Sequence, residues 1–174
     1  MRRTYIIAIG VLSLALAASP ARADPTDRGE QVRYDYSRFS DGPRNVPAPR
    51  GASLARAQAL GLGTREAASR ARRGALPDAW LRAAAWRREP VERLLWPVDE
   101  GRFARGFGFV RHTRPELRHD GVDIAAEAGA VVRAAADGIV VYSDNGIRGF
   151  GNCVILAHPN GWVTLYAHNA RTTV

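Results

Sequence analysis

Lysine is absent from this sequence, and all 25 basic residues are arginine. Cysteine is nearly absent, and the single Cys153 excludes an internal disulfide and a Cys-x-x-Cys metal knuckle. Long apolar runs are also missing, which excludes a polytopic membrane protein. What is present is an ordinary globular composition, 46% hydrophobic over 174 residues. This size suits one modest domain with appendages, stabilised by packing or by a bound metal.

The amino terminus has the pattern of an export signal. Arg2 and Arg3 precede an apolar run over residues 5–18, and an Ala-x-Ala sequence ends at Ala23. We therefore predict a signal peptide over residues 1–23 and a mature protein in the periplasm, cell envelope or extracellular space. An amino-terminal anchor or a buried helix is the alternative. The pattern leaves general secretion and twin-arginine export both open, and no cysteine near the cut offers a lipid anchor.

The positive charge is concentrated in one part of the predicted mature chain. Residues 24–95 contain 14 arginines and nine acids, whereas residues 96–174 contain eight of each. The basic part would be attracted to an anionic envelope polymer or membrane surface, unless it is only a solvated face. We expect no nucleic-acid partner and no transmembrane helix in the mature protein.

The basic part divides into a linker and a helical segment. Residues 24–52 are rich in proline and glycine without periodicity, which predicts a flexible linker. Residues 53–95 are rich in Ala, Leu and Arg, which favours helix. We expect one helix over residues 53–73, interrupted by two glycines and restarted at Thr64, and another over 78–88 capped by its first residue.

Residues 96–174 have the pattern of an antiparallel β domain. Asn160-Gly161 is a strong hairpin signal, and a two-residue loop there would pair His158 with Val163 and Cys153 with His168. That register predicts opposite faces of the sheet for His158 and His168. The short β-branched runs that predict strands cover residues 103–110, 131–133, 139–142, 152–158 and 162–168.

One pentapeptide in this region carries two potential metal ligands. In an extended segment His119 and Asp123 would lie on one face, with the side-chain-free Gly121 between them. Neutral imidazole nitrogen and carboxylate oxygen are ordinary Zn²⁺ ligands. The spacing alone arises often by chance, so the pair is a hypothesis that needs a second feature.

Together these segments resemble the lysostaphin/LytM-type zinc metallopeptidases. The resemblance implies a duplicated-hybrid-motif type of β fold, one Zn²⁺, and cleavage of peptide cross-links in bacterial peptidoglycan. It also implies that His119 and Asp123 bind the metal and that His168 assists catalysis. The matching segments are Trp96-Pro97-Val98, Arg105-Gly106-Phe107-Gly108, residues 119–126, residues 132–142, Gly149-Phe150-Gly151-Asn152 and Tyr166-Ala167-His168.

The chain departs from the family in lacking a downstream His-x-His motif, whose second histidine is the third zinc ligand. His168 is followed by six residues without histidine, so we expect a carboxy-terminally incomplete domain with an unpaired strand edge and an incompletely ligated Zn²⁺. We expect His158 to be a locally bonded hairpin residue and His112 an exposed loop residue. Two functions stay open: a zinc endopeptidase of the cell wall, and a non-catalytic module that binds the wall or activates an amidase or another wall hydrolase.

Overall fold

The computed structural model describes residues 3–11, 51–85 and 94–174. The predicted cleavage site at Ala23 and nearly all of the predicted linker over residues 24–52 lie outside the described residues. The helices are α1 (Gly51–Ala59), α2 (Arg65–Arg72) and α3 (Asp78–Ala84). The strands are β1 (Arg3–Val11), β2 (Arg102–Arg105), β3 (Val110–Arg111), β4 (Arg114–Arg118), β5 (Val122–Glu127), β6 (Ile139–Asp144), β7 (Asn152–Ala157) and β8 (Val163–Asn169).

Six of the strands form one antiparallel sheet in the order β2-β5-β1-β8-β7-β6, and β3 pairs with β4 in a separate hairpin. The predicted mainly β fold with a few preceding helices is therefore confirmed. A strand over residues 131–133 was predicted wrongly. That segment has no ladder, because Arg133 donates its backbone N–H to the carbonyl of Pro97 instead.

Strand β1 lies between β5 and β8 in the middle of the sheet. Ile7 is paired with Asp123 on one side and with Ala167 on the other. The start of the predicted export signal thus lies in a strand, since a short apolar run fits both a signal core and a strand. Strand β8, which we expected to leave an unpaired edge, has a neighbour on each side.

The helices begin and end close to the predicted glycine and cap positions. The Oγ1 of Thr64 accepts a hydrogen bond from the backbone of Ala67 at 3.0 Å, so Thr64 caps α2 as predicted. The start of the first predicted helix suggests Ser53 as its cap, but α1 begins at Gly51, so Ser53 lies within the helix. Asp78 likewise lies in the first turn of α3, where its charge favours the helix N-terminus.

The main core lies between the helices and one face of β6, β7 and β8. Helix α2 presents a face of alanines, which allows close approach to the sheet, and Trp80 donates its indole N–H to the carbonyl of Leu60 at 2.8 Å. The helical segment therefore packs against its own sheet. The buried residues of this core are Ala67, Ala68, Ala71, Trp80, Val141, Tyr142, Cys153, Ile155, Ala157, Val163, Leu165 and Ala167.

The β7–β8 hairpin has a different register from the predicted one. Leu156 is paired with Thr164, and the loop has three residues in which Gly161 has a φ of 82°. The three loop residues are 159–161, because the backbone N–H of His158 beyond the end of β7 donates to the carbonyl of Trp162 at 2.9 Å. Such a loop with a left-handed glycine is a common hairpin connection, and it shifts the pairing by one residue. His158 consequently shares a face with Thr164, which contradicts the predicted separation of these two residues. The ladder shifts register again between Asn152 and Val154, where His168 lies opposite, so the three-residue loop does not determine the face of His168.

Candidate metal centre

His119 and Asp123 come together through two different elements. Asp123 is the second residue of β5, but His119 precedes that strand, so the predicted continuous extended segment over residues 119–123 was wrong. Backbone hydrogen bonds from His119 to Phe109 at 2.8 Å and from Gly108 to His119 at 2.7 Å hold it. The side chains nevertheless meet, with Nε2 of His119 3.0 Å from Oδ1 of Asp123.

The hydrogen bonding of His119 determines which nitrogen can bind a metal. Its Nδ1 lies 2.9 Å from the carbonyl oxygen of Gly106, which can only accept, so Nδ1 carries the proton. In the neutral ring Nε2 therefore has a lone pair. Neither Nε2 nor Oδ1 of Asp123 has a hydrogen-bond partner among the described residues. Two buried acceptors side by side need a shared cation, which is either a proton or a metal ion.

Arg105 is the residue of this corner that sequence reasoning missed. It is the residue paired with Asp123 between β2 and β5, and its Nε donates to Oδ2 of Asp123 at 2.6 Å. This leaves Oδ1 for His119. Arg105 belongs to a quoted sequence segment, but nothing in that segment identifies its partner, because the contact depends on how β2 pairs with β5.

The charges of this corner act on each other. Burial alone would raise the pKa of Asp123, but His119 and Arg105 hold that pKa below its ordinary value. The adjacent carboxylate of Asp123 raises the pKa of His119, against the opposing effects of burial and of Arg105. Asp123 is therefore ionised, which binding of a metal through a carboxylate requires, and it has no exposed surface.

His168 lies at the other side of β1, on β8. Its backbone has a φ of 59°, in the left-handed region that is uncommon for residues other than glycine, and its N–H donates to the carbonyl of Phe150 at 2.8 Å. The guanidinium of Arg72 in α2 lies 4.9 Å from the ring centroid of Phe150. Burial lowers the pKa of His168, while the charge of Asp123 acts in the opposite direction. The ring is thus neutral near pH 7.

The two other histidines have no place in this corner. His158 is fully buried, with Nδ1 2.8 Å from the carbonyl oxygen of Asp137 and Nε2 2.9 Å from Oγ1 of Thr164. Both ring nitrogens are thus satisfied by neutral groups. Gly138 makes this contact possible, since a Cβ there would lie 2.6 Å from the carbonyl oxygen of Ala157. His112 is exposed in the turn between β3 and β4.

The donor set fits two positions of a zinc site. Two ligands at ordinary bond lengths from a tetrahedral zinc lie roughly 3.3 Å apart, close to the 3.0 Å between the His119 and Asp123 atoms. Within the described ranges, no group of three or more His, Cys, Asp or Glu side chains is placed to hold a metal ion. Among the described residues, no third side chain of these types joins the His119–Asp123 pair.

Comparison with known proteins agrees with the resemblance drawn from the motifs. Residues 117–174 match the model of Peptidase family M23. This part of the chain belongs to that family. This matched part, which we call the M23 region, includes His119, Asp123 and His168, and it begins five residues before β5.

Curated relatives match the chain only over a region of this size. The Murein hydrolase activator NlpD of Escherichia coli is 39% identical over 80 residues, or 46% of this chain and 20% of that protein. The Cell division protein DipM of Caulobacter vibrioides is 40% identical over 82 residues, or 47% of this chain and 13% of that protein. The Outer membrane antigenic lipoprotein B of Haemophilus influenzae is 35% identical over 79 residues, covering 45% of this chain and 18% of that protein.

The chain therefore spans at most about a fifth of the length of the curated relatives it matches. No solved structure matches it significantly. In the part of the chain that the structure describes, none of the helices has the length and apolar character needed to cross a membrane.

Proposed function

We propose that the chain is exported and that its M23 region is a zinc-dependent domain directed at bacterial peptidoglycan, where it cleaves peptide cross-links. The observation that carries this proposal is the pair of buried acceptors, Nε2 of His119 and Oδ1 of Asp123, which are 3.0 Å apart and share no other partner among the described residues. The match of residues 117–174 to Peptidase family M23 and the similarity to a protein named a murein hydrolase activator support the choice of peptidoglycan.

Each residue of the corner, and His168 across β1, has a defined role in this proposal. His119 and Asp123 hold the metal, and the carbonyl of Gly106 fixes the ring orientation of His119. Arg105 keeps Asp123 ionised and restricts it to one ligating oxygen. When bound there, Zn²⁺ polarises a peptide carbonyl and lowers the pKa of water. His168, neutral because its pKa is lowered, accepts a proton from water at one ring nitrogen or donates a hydrogen bond to the developing oxyanion from the other.

The test measures zinc per chain and cleavage of purified cross-linked muropeptides. We expect the unchanged protein to retain about one zinc and to cleave. His119→Ala should lose both properties, whereas His168→Ala should keep the metal and lose cleavage. His112→Ala, an exposed histidine outside the corner, is the matched control and should change neither. Zinc retention by His119→Ala would contradict the assigned site.

A second function is supported by the relatives, since the NlpD protein is named a murein hydrolase activator. In this alternative the M23 region binds the wall, or an amidase or other wall hydrolase, and cuts nothing. The limited ligand set among the described residues favours it. Stimulation of a purified amidase on sacculi that is equal for the unchanged protein and His119→Ala would support the activator. Stimulation that disappears with the metal would count against it.

A further inference from the structure

The zero net charge of residues 96–174 conceals a strong separation of charge. Residues 102–118 contain five arginines and one acid, whereas the remainder of the region contains three arginines and seven acids. The first segment thus has a formal charge of +4 and the remainder −4. We call residues 102–118 the basic arm.

The basic arm also carries most of the exposed aromatic surface of the described residues. Phe107 is 73% exposed, Phe103 59% and Phe109 45%. Monomeric proteins seldom leave several large aromatics exposed within one short segment unless that segment binds something. Part of the arm is the β3–β4 hairpin, which is separate from the six-stranded sheet.

Backbone contacts fix the basic arm against the candidate metal centre. The carbonyl of Gly106 contacts Nδ1 of His119, and the backbone N–H of His119 donates to the carbonyl of Phe109 at 2.8 Å. The guanidinium of Arg105 contacts Asp123 and lies 5.9 Å from the ring centroid of Phe109. A chain bound along the arm would consequently pass beside His119 and Asp123.

We propose that the basic arm is a docking surface for the carboxylate-bearing stem peptides of the wall. Arginine forks bind carboxylates, and exposed phenylalanine faces contact methyl and methylene groups of an extended peptide. The charge of the arm is complementary to such a peptide, and the acidic remainder of the region would repel it elsewhere. This inference rests on the proposed wall-directed function, and it adds the part of the protein that selects an acidic peptide.

The experiment compares two variants that remove the same charge. Arg111→Gln/Arg114→Gln/Arg118→Gln alters the basic arm, and Arg70→Gln/Arg73→Gln/Arg82→Gln alters exposed arginines of α2, α3 and the turn between them. Binding of the full chain to purified sacculi is measured by co-sedimentation, with zinc content determined on the same samples. Three interfacial charge pairs predict about a tenfold weaker affinity for the arm variant and less than about a twofold change for the control.

Two further measurements separate the possible ligands. Sacculi whose stem-peptide carboxylates have been converted to amides should bind the unchanged protein about as weakly as native sacculi bind the arm variant. Phe107→Ser should weaken binding about fivefold, whereas Leu54→Ser, an exposed apolar residue of α1, should not. Equal losses in the two arginine variants, undiminished binding to amidated sacculi, or stronger binding to vesicles containing phosphatidylglycerol than to sacculi would each overturn the proposal.

A failure of the proposed catalysis would look different from a failure of this docking surface. If the protein neither keeps zinc nor cleaves muropeptides, the arm variant must still bind native sacculi more weakly than its control. If zinc and cleavage are normal but the two arginine variants bind alike, the docking surface is wrong and the proposed catalysis stands.

Discussion

His158 and His119 both lie beside oxygen atoms in the β region, but the oxygens belong to neutral groups at His158 and include a carboxylate at His119. This difference separates the roles of the two histidines. His158 contacts a backbone carbonyl and a threonine hydroxyl, so burial lowers its pKa and both nitrogens are satisfied. His119 contacts a carbonyl with Nδ1, but its Nε2 faces the Asp123 carboxylate, which raises its pKa. A buried histidine is therefore structural when its partners are neutral and complete. A buried histidine becomes a candidate metal ligand when one ring nitrogen with a lone pair lies next to another acceptor, as Nε2 of His119 lies next to Oδ1 of Asp123.

The largest expected effect is on zinc binding when the carboxylate of the His119 corner is neutralised. Asp123→Asn should weaken zinc retention on the order of 100-fold or more, because it removes a ligand charge and leaves Arg105 without its ion pair. Dialysis against a competing chelator followed by metal analysis measures this. Asp120→Asn, an exposed neighbour with the same change of charge, should retain the metal. Equal retention by both variants would remove the distinction between the two corners.

The next effect is on stability at the other corner. His158→Ala should lower the free energy of unfolding by about 2–4 kcal/mol, because it empties a buried site and leaves the hydroxyl of Thr164 without its partner. Urea denaturation measures the loss, and zinc content should not change. His112→Ala, at an exposed position, should alter stability by less than about 0.5 kcal/mol. Loss of zinc in His158→Ala would show that this histidine serves the metal after all.

A smaller change tests the hydrogen bond alone. Thr164→Val preserves the shape of the side chain but removes the hydroxyl that Nε2 of His158 accepts from, and should cost about 1–2 kcal/mol. Thr113→Val, exposed in the β3–β4 turn, is the matched control. Stability of Thr164→Val within error of the control would mean that His158 is held by packing and not by this bond.

The last prediction concerns the direction in which each histidine titrates in zinc-free protein. The pKa of His119 is raised, so its contribution to stability is complete below the ordinary value of 6.5 and is lost as pH rises through the folded-state pKa. The pKa of His158 is lowered by burial, so its contribution is complete above 6.5 and is lost as pH falls. Ring resonances followed by NMR should place the two midpoints on opposite sides of 6.5. Midpoints on the same side would contradict the comparison.

Some features of the fold and of the candidate site follow from short-range sequence patterns. Thr64 is predicted as a cap because a hydroxyl three residues before a helical N–H satisfies it, whatever surrounds the helix. His119 and Asp123 are predicted together because they belong to one short motif. A fully extended path would hold their Cα atoms about 13 Å apart, and the bend at Gly121 accompanies the contact that the structure shows. The role of Arg105 is not predictable in this way, because 18 residues separate it from Asp123. Only the register of β2 against β5 joins them.

The β7–β8 hairpin shows how a difference of one residue in loop length changes the face of the sheet on which a side chain lies. Asn160-Gly161 correctly marks a turn between β7 and β8, but the sequence fits both a two-residue and a three-residue loop. The side-chain period of a strand is two, so this single residue moves His158 to the face of Thr164. The structural role predicted for His158 agrees with the observed contacts, although the hairpin register assumed for that prediction differs from the observed one.

The amino-acid sequence alone predicted that residues 96–174 form a β region and that they resemble the family matched by residues 117–174. It also placed an imidazole and a carboxylate four residues apart. These are properties of composition, turn residues and near-neighbour spacing, which act over a few residues. The tertiary structure decided which nitrogen of His119 has the lone pair, that Arg105 occupies the second oxygen of Asp123, and that Arg3–Val11 lies between β5 and β8. Those facts depend on pairing between distant strands, whose register is selected by the packing of the whole sheet.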